Sequence, residues 1–397
     1  MNDVKNMNHL FDKLVVSVKS RFTKRYKNVW LFGEWFGNRI CDNSMCFANY
    51  IVENHPDIKV YWAANPGVDT SGLDDRIKVI NRKSPKSISL YKKAGVIIMN
   101  QGIGDFSDDA LDYYSGAVTV NLWHGVPWKK ILIDSIDKHN KIEYLIIKYG
   151  FLLTRAKYFL SLSDEFTKVL KKSGGLRDKN IIKAGYPRNA LFYDENKVGE
   201  SRSKIVEMIR KNGTNITDKT KIIGYMPTFR DSGSETFSFN DIEEEISGYL
   251  DDNDIVVVEK KHYEDSTGQK KVASERIVNL PDCSAQDLLA ASDLLVTDYS
   301  SCFFDYLVLD RPIVHYIYDY EYYANKDRGL YYSKDDVVCG DVVTTKMDLI
   351  ESIKKNINDP CNNKELRLSR KQQYMQFEKE NSCEEIYNFI MRKLERR

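Results

Sequence analysis

Short apolar runs recur along this chain, each followed by a turn and then a stretch with helical spacing. The runs are Val29 to Phe32, Lys59 to Trp62, Ile77 to Ile80, Val96 to Met99, Val118 to Leu122, Lys157 to Leu162 and Ile181 to Lys183. After a polar interval they resume at Ile222 to Tyr225, Ile255 to Val258, Leu294 to Val296 and Ile313 to Ile317. Runs this short and this apolar predict strands buried on both faces, and their alternation with helices predicts parallel sheets. The polar Asn196 to Lys221 region reads as the boundary between two domains, 1–198 and 199–397, the second ending in a long helical tail from Lys346.

The stretch from Asp287 to Asp319 organises the second half. It gives a short helix, a strand, Thr297-Asp298-Tyr299-Ser300-Ser301, a helix through Phe303, Phe304, Leu307 and Val308, and the next strand after Asp310-Arg311-Pro312. This is a βαβ unit whose crossover turn places two serines at a helix start. Unpaired N–H groups there suit a phosphate, and Asp305 lies one turn further on. The competing reading is that Ser300 only caps the helix.

Other strand ends also deliver chemistry-bearing residues. Val29 to Phe32 leads into a turn containing Gly37, where a ligand can approach the backbone. Asp42-Asn43-Ser44 then caps a helix. Val118 to Leu122 delivers Trp123-His124-Gly125, with Lys129 and Lys130 beyond, and a histidine there sits where α/β sheets bind ligands. Gly185-Tyr186-Pro187-Arg188-Asn189 reads as a turn with an exposed arginine. In the second half, Pro227-Thr228-Phe229-Arg230 and Lys260-Lys261-His262 gather cations for an anionic ligand. Asp252-Asn253-Asp254 precedes its strand and reads as a turn rather than a metal-binding motif.

With 397 residues, two domains are expected. An apolar fraction of 42% excludes a disordered chain, and a formal charge of +1 argues against a nucleic-acid-binding surface. The seven cysteines show no metal-like or disulfide-like spacing, which fits a reducing compartment. No run reaches the roughly 20 apolar residues a membrane span needs. Leu10, Phe11, Leu14, Val15, Val18 and Phe22 share a helix face among basic residues, and Tyr144 to Phe159 mixes apolar side chains with Lys148, Arg155 and Lys157. Either segment suits an anionic membrane or ordinary packing.

In motif order the chain resembles the CDP-glycerol glycerophosphotransferase family, the teichoic acid primases and polymerases. The resemblance rests on Trp123-His124-Gly125, the 185–189 turn, Pro227 to Arg230, Lys261-His262, Thr297 to Ser301 with Phe304-Asp305, Asp310 to Pro312, and Arg328-Gly329. Val126 and Tyr263 depart from its commoner Thr and Pro.

The resemblance implies a GT-B fold, two Rossmann-like domains facing across a cleft. It implies transfer of a polyol phosphate, glycerol phosphate first, from a CDP-activated donor to an acceptor hydroxyl of a teichoic acid, capsule or lipid-linked glycan. CMP leaves, and neither metal nor cofactor is needed. His124 would be the base. His262, Arg230 and Lys261 would hold the pyrophosphate with Thr297, Ser300, Ser301, Arg188 and Arg328, and Asp305 would reach the ribose. Gly37, Trp123 and Gly125 would lie on the acceptor side. The expected location is the cytoplasm, at the inner membrane face. Competing readings are a CDP-ribitol donor, a GT-B glycosyltransferase using a nucleotide sugar, and a non-catalytic scaffold.

Overall fold

The computed structural model describes residues 2–108, 113–136, 140–228, 237–260, 275–321, 323 and 329–396, with side chains from residue 11 onward. The described chain divides into two compact units. The first holds residues 1–124, 131–190 and 376–397, the second 125–130 and 191–375.

In the first unit the strands are β1 (Tyr26–Phe32), β2 (Lys59–Ala64), β3 (Lys78–Asn81), β4 (Ala94–Met99), β5 (Val118–Asn121), β6 (Tyr158–Ser161) and β7 (Ile181–Lys183). They form one sheet in the order β3-β2-β1-β4-β5-β6-β7, with every pairing parallel. All six residues of β4 are buried, whereas the edge strand β3 is largely exposed. Two-sided burial is why the central strands read as unbroken apolar runs. The order reverses between β1 and β4, which makes their carboxyl ends the topological switch point where such sheets hold ligands.

The second unit repeats the plan. Its strands are β8 (Lys221–Met226), β9 (Ile255–Glu259), β10 (Ile277–Asn279), β11 (Leu294–Thr297), β12 (Ile313–Tyr316) and β13 (Asp341–Val343). All are parallel, in the order β10-β9-β8-β11-β12-β13, so this switch point lies between β8 and β11. One apolar cluster, including Ile223, Val257, Val296, Val314 and Leu349, fills the space between this sheet and its helices.

Helices follow the signals the sequence carries. In the first unit they are α1 (Asn2–Arg21), α2 (Asn43–Asn54), α3 (Pro85–Tyr91), α4 (Lys141–Thr154) and α5 (Asp164–Gly174). Ser163 caps α5 by accepting from Phe166 N, and Gly175 ends it in the left-handed region. In the second unit they are α6 (Glu195–Lys211), α7 (Glu243–Asp252), α8 (Ala285–Ala291), α9 (Cys302–Tyr306), α10 (Lys334–Val337), α11 (Lys346–Asn358) and α12 (Lys364–Tyr374). The Asp252–Asp254 triplet is the turn from α7 to β9, and Arg276 engages Asp254.

Two arrangements differ from the sequence reading. The polar stretch after Asn196 is mostly helix α6, which packs against α8. The helical tail consists of three helices, and its last, α13 (Ser382–Glu395), belongs to the first unit rather than the second. There Tyr387 stacks with Trp30 at 6.0 Å and Phe389 meets Tyr158 edge-on.

From residue 11 on, helix α1 turns several apolar side chains outward, although Val15 is half-buried. Phe11, Leu14, Val18 and Phe22 are exposed, while Ser17 and Ser20 are buried. Ser17 Oγ meets Ser115 Oγ, and Arg25 just beyond the helix donates to the carbonyls of Tyr91, Ala94 and Tyr113. Phe11, Leu14 and Val18 are therefore left outward. Among the described residues no helix is long and apolar enough to cross a membrane.

Candidate active site

In the first unit the chain beyond β5 turns sharply at Trp123, whose φ is +60°. A left-handed backbone costs a bulky residue roughly 1–2 kcal/mol, so the surroundings must impose it. Trp123 N–H donates to Asn121 Oδ1 at 2.8 Å, and Asn43 Nδ2 donates to the Trp123 carbonyl at 2.9 Å. Arg188 Nη1 donates to the His124 carbonyl at 3.1 Å and pairs with Asp42 Oδ1 at 2.7 Å. Arg188 N–H also donates to Asn43 Oδ1. The 185–189 turn, the start of α2 and the end of β5 thus lock one another, with His124 at the tip.

Arg188 is buried, not exposed as the turn composition suggests. Its guanidinium serves Asp42 and the His124 backbone, because a buried carboxylate needs a cation partner. The turn is held in its own right by the return of the chain's end. Glu378 Oε2 accepts from Tyr186 N–H and Asn189 Nδ2, both at 3.0 Å, and Ser382 Oγ accepts from Gly185 N–H.

His124 is half-buried, with its ring stacked on Trp123 at 4.8 Å. Its Nδ1 lies 3.5 Å from the Asn100 carbonyl. A carbonyl only accepts, so this contact favours the tautomer with hydrogen on Nδ1 and leaves Nε2 as the basic nitrogen. Burial holds the imidazole below its ordinary pKa, aided by Arg188 and opposed by Asp42 and the Asn100 carbonyl. A neutral imidazole is what a general base requires.

Beside it, the turn after β1 runs through three successive left-handed residues, Trp35 (+47°), Phe36 (+55°) and Gly37 (+74°). Gly37 is needed there, since a Cβ would also collide with the Arg82 side chain. Asp105 and Gln101, just past β4, hold the turn by accepting from Phe36 N–H and Trp35 N–H. Glu34, fully buried, accepts from Cys41 and Asp42 N–H. Burial pushes its pKa well above the carboxylate range, with Asp42 and Asp105 adding to the shift.

The second unit's switch point has a different character. Asp298, after β11, accepts from Thr228 N–H, after β8, at 2.8 Å and so ties the two strand ends. Thr297 Oγ1 donates to the Met226 carbonyl and is buried. Ser300 and Ser301 are half-buried. Neither caps α9 firmly: Ser301 makes no side-chain cap bond, and Cys302 N–H reaches Ser300 Oγ only at 3.5 Å. Helix α9 has five residues, shorter than the helix the sequence pattern predicts.

Gly125 belongs to this unit and lies against Ser301, where a Cβ would overlap the serine hydroxyl. The next residues are fixed by Trp128, which packs near Tyr299 and donates to the Tyr332 carbonyl. Asp305 is buried and accepts from Gln286 Nε2 at 3.2 Å. That places its carboxylate against α8.

The sequence-predicted residues therefore fall into two groups. Gly37, Trp123, His124 and Arg188 gather in the first unit; Gly125, Thr297, Ser300, Ser301 and Asp305 gather in the second. Arg230, Lys261, His262 and Arg328 lie outside the described residues. Sequence reasoning did not single out Glu34, Trp35, Asn43, Asn100, Gln101 and Asp105 as site residues. Their signal was position, since Glu34 and Trp35 lie two and three residues past β1, and Asn100 and Gln101 directly follow β4.

Comparison with known proteins gives a consistent picture. The chain is 28% identical over 358 residues to a teichoic acid poly(glycerol phosphate) polymerase of Bacillus subtilis, covering 86% of this chain and 46% of that protein. It is 29% identical over 341 residues to a teichoic acid glycerol-phosphate transferase of Staphylococcus aureus, covering 83% and 84%. The chain thus spans about half of the first relative and most of the second. Among solved structures, the wall teichoic acid polymerase TagF superposes with a TM-score of 0.81 at 20% identity, covering 100% of this chain and 97% of that one. That likeness establishes a GT-B-like α/β fold. The family model described as CDP-Glycerol:Poly(glycerophosphate) glycerophosphotransferase matches residues 14–392, and the chain belongs to that family.

Proposed function

We propose that this chain transfers glycerol phosphate from CDP-glycerol to a hydroxyl of a teichoic acid or related glycan, releasing CMP. Family membership supports the donor and the reaction class. The observation that carries the reading is His124, a neutral imidazole fixed at a strand end by Asn43, Asn121 and Arg188. Its Nε2 takes the acceptor proton as the hydroxyl oxygen bonds to the distal phosphorus and the bond to the CMP oxygen breaks. Ser300 and Ser301 bind the donor pyrophosphate together with the cations Arg230, Lys261 and His262. Fixed cations supply the charge stabilisation, so turnover needs no divalent metal.

Peripheral membrane contact is part of the same proposal. Outward Phe11, Leu14 and Val18 of α1 and exposed Ile142, Leu145, Ile147 and Tyr149 on α4 lie on two helices that pack together. Lys13, Lys19, Lys141 and Lys148 accompany them, a combination suited to an anionic lipid surface at the cytoplasmic face.

The test is incubation with CDP-glycerol, CDP-ribitol and nucleotide sugars in the presence and absence of EDTA. CMP release from CDP-glycerol with a phosphodiester product is expected in both conditions. Release of a nucleoside diphosphate with a glycoside product would overturn the reading. Sedimentation with anionic vesicles, weakened by salt, tests the membrane surface.

A further inference from the structure

Buried polar atoms are almost always hydrogen-bonded, so a cluster of unmatched ones marks a place built for something else. The described first unit has such a cluster at its switch point. Glu34 Oε2, Trp35 Nε1, both side-chain atoms of Asn100 and Gln101 Nε2 are buried without a protein partner. Glu34 and Asn100 are fully buried, whereas Trp35 and Gln101 are half-exposed and form the rim.

Glu34 and Trp35 follow β1, Asn100 and Gln101 follow the neighbouring strand β4, and three contacts link Trp35, Gln101 and Asn100 with His124. Trp35 N–H donates to Gln101 Oε1 at 2.6 Å, and β1 and β4 are paired strands. The Asn100 carbonyl touches His124 Nδ1, and the Trp35 ring lies 6.1 Å from the His124 ring. The strained backbone at Trp35, Phe36 and Trp123 borders the same cluster, and strain of this kind persists where surroundings enforce a working geometry.

The donor set selects the ligand class. Asp42 is already paired with Arg188, and Asp105 accepts four backbone N–H groups. A phosphate would face these carboxylates and Glu34 with no unpaired cation described among them, which disfavours it. The unmatched atoms comprise three N–H-bearing nitrogens, an amide oxygen and a carboxyl oxygen. Hydroxyls both donate and accept, so a vicinal diol can satisfy that mixture.

We propose that Glu34, Trp35, Asn100 and Gln101 form the acceptor subsite, hydrogen-bonding the terminal hydroxyls of a polyol beside His124. This deepens the transferase reading and rests on it for the identity of the acceptor. Asn100 joins the subsite to the base, because its backbone orients His124 while its side chain holds the hydroxyl.

The experiment uses the full chain and three variants, Asn100→Ala, Gln101→Glu and Glu34→Gln. Gln101→Glu keeps the oxygen that Trp35 N–H needs and replaces the amide donor by a charged acceptor. The probes are a glycerol-phosphate oligomer ending in an intact diol and its analogue lacking one terminal hydroxyl. The two are equal in charge, so they isolate the lost hydroxyl contact from the added repulsion. Acceptor KM is expected to rise about 10- to 100-fold in Asn100→Ala and Gln101→Glu, the worth of one or two hydrogen bonds, and less in Glu34→Gln, whose amide mimics the neutral carboxyl. The wild type's preference for the intact diol should shrink in parallel, while CDP affinity stays within about twofold. Asn100→Ala should not lower the melting temperature, since its amide has no protein partner to lose.

Unchanged acceptor KM and unchanged diol preference would overturn the proposal and leave the cluster as a site for structural water. If the wild type releases no CMP from any CDP-polyol, the transferase reading fails instead. Calorimetric titration of the same two oligomers then still decides the subsite. Diol-dependent binding lost in Gln101→Glu supports it, and no difference between the oligomers sinks it.

Discussion

At the switch point of the first sheet the chain places a histidine, buried carboxyls and amides; at that of the second sheet it places hydroxyls and a tight strand-end tie. Both sheets are parallel and both reverse their order beside a central strand, so the backbone poses the same geometric offer twice. What differs is which side chains were left unmatched. Around His124 the polar atoms of Glu34, Trp35, Asn100 and Gln101 lack partners. Around Asp298, the Thr228 and Tyr299 N–H groups both donate to Oδ1, and the Thr297 hydroxyl donates to the Met226 carbonyl. The first site leaves mixed donors and acceptors unmatched, and the second leaves two lightly bonded serines.

The histidines sharpen the contrast. His124 stands at a strand end and is half-exposed. His315 lies inside β12, fully buried, with Nε2 accepting from Cys339 N–H and its ring edge-on to Phe303. Burial lowers both pKa values, that of His315 to about 4. One imidazole stands half-exposed at a strand end and the other is enclosed in packing.

The largest expected effect breaks the comparison at its centre. His124→Ala should lower turnover about 10²–10⁴-fold while leaving CDP binding intact, because a general base is lost and the second unit is untouched. Near-normal turnover in a folded variant would remove His124 from the chemistry.

His315 should govern stability rather than rate. Its folded pKa of about 4 lies below the ordinary 6.5, so the unfolded chain binds the extra proton first. Its contribution is complete above pH 6.5 and is lost as pH falls towards 4, a change of about 3 kcal/mol. Denaturant melts across that window should be steeper in pH for the wild type than for His315→Gln. Equal slopes would show that the burial is not felt.

A smaller effect separates binding from capping in the second unit. Ser300→Ala and Ser301→Ala should each weaken CDP binding roughly 10- to 100-fold by calorimetry, the worth of a hydrogen bond to a charged group. Melting temperatures should barely move, because neither hydroxyl caps α9 well. A lowered melting point with unchanged affinity would make the serines structural.

The smallest effect reads the electrostatics around His124. The acidic limb of kcat/KM should lie below pH 6.5, since burial depresses the imidazole pKa. Asp42→Asn removes the carboxylate that raises this pKa and should move the limb lower still, changing rates severalfold only near the limb. A limb above pH 6.5 in the wild type would contradict the burial argument.

Strands β4, β5, β6, β8, β9, β11 and β12 were legible in the sequence because burial on both faces writes itself as a continuous local run. The cap at Ser163 and the stop at Gly175 were legible for the same reason, being satisfied within one turn. His124, Ser300 and Ser301 stood out because each follows such a run. Strands β10 and β13 were not legible; three residues carry no period, and only pairing with β9 and β12 defines them.

Tertiary structure alone decided the rest. Arg188 looked exposed in its turn but is buried by Asp42, 146 residues away in sequence. The end of the chain joins the first unit because Glu378 and Ser382 meet the 185–189 turn and Tyr387 meets Trp30. Phe11, Leu14 and Val18 of α1 point outward because Ser17, Ser20 and Arg25 find their partners inward. Glu34, Asn100 and Gln101 looked like ordinary polar residues after strands, and only the pairing of β1 with β4 sets the segments that carry them side by side. A hydrogen bond that is missing between distant residues leaves no local trace, so no reading of neighbours along the chain could have found it.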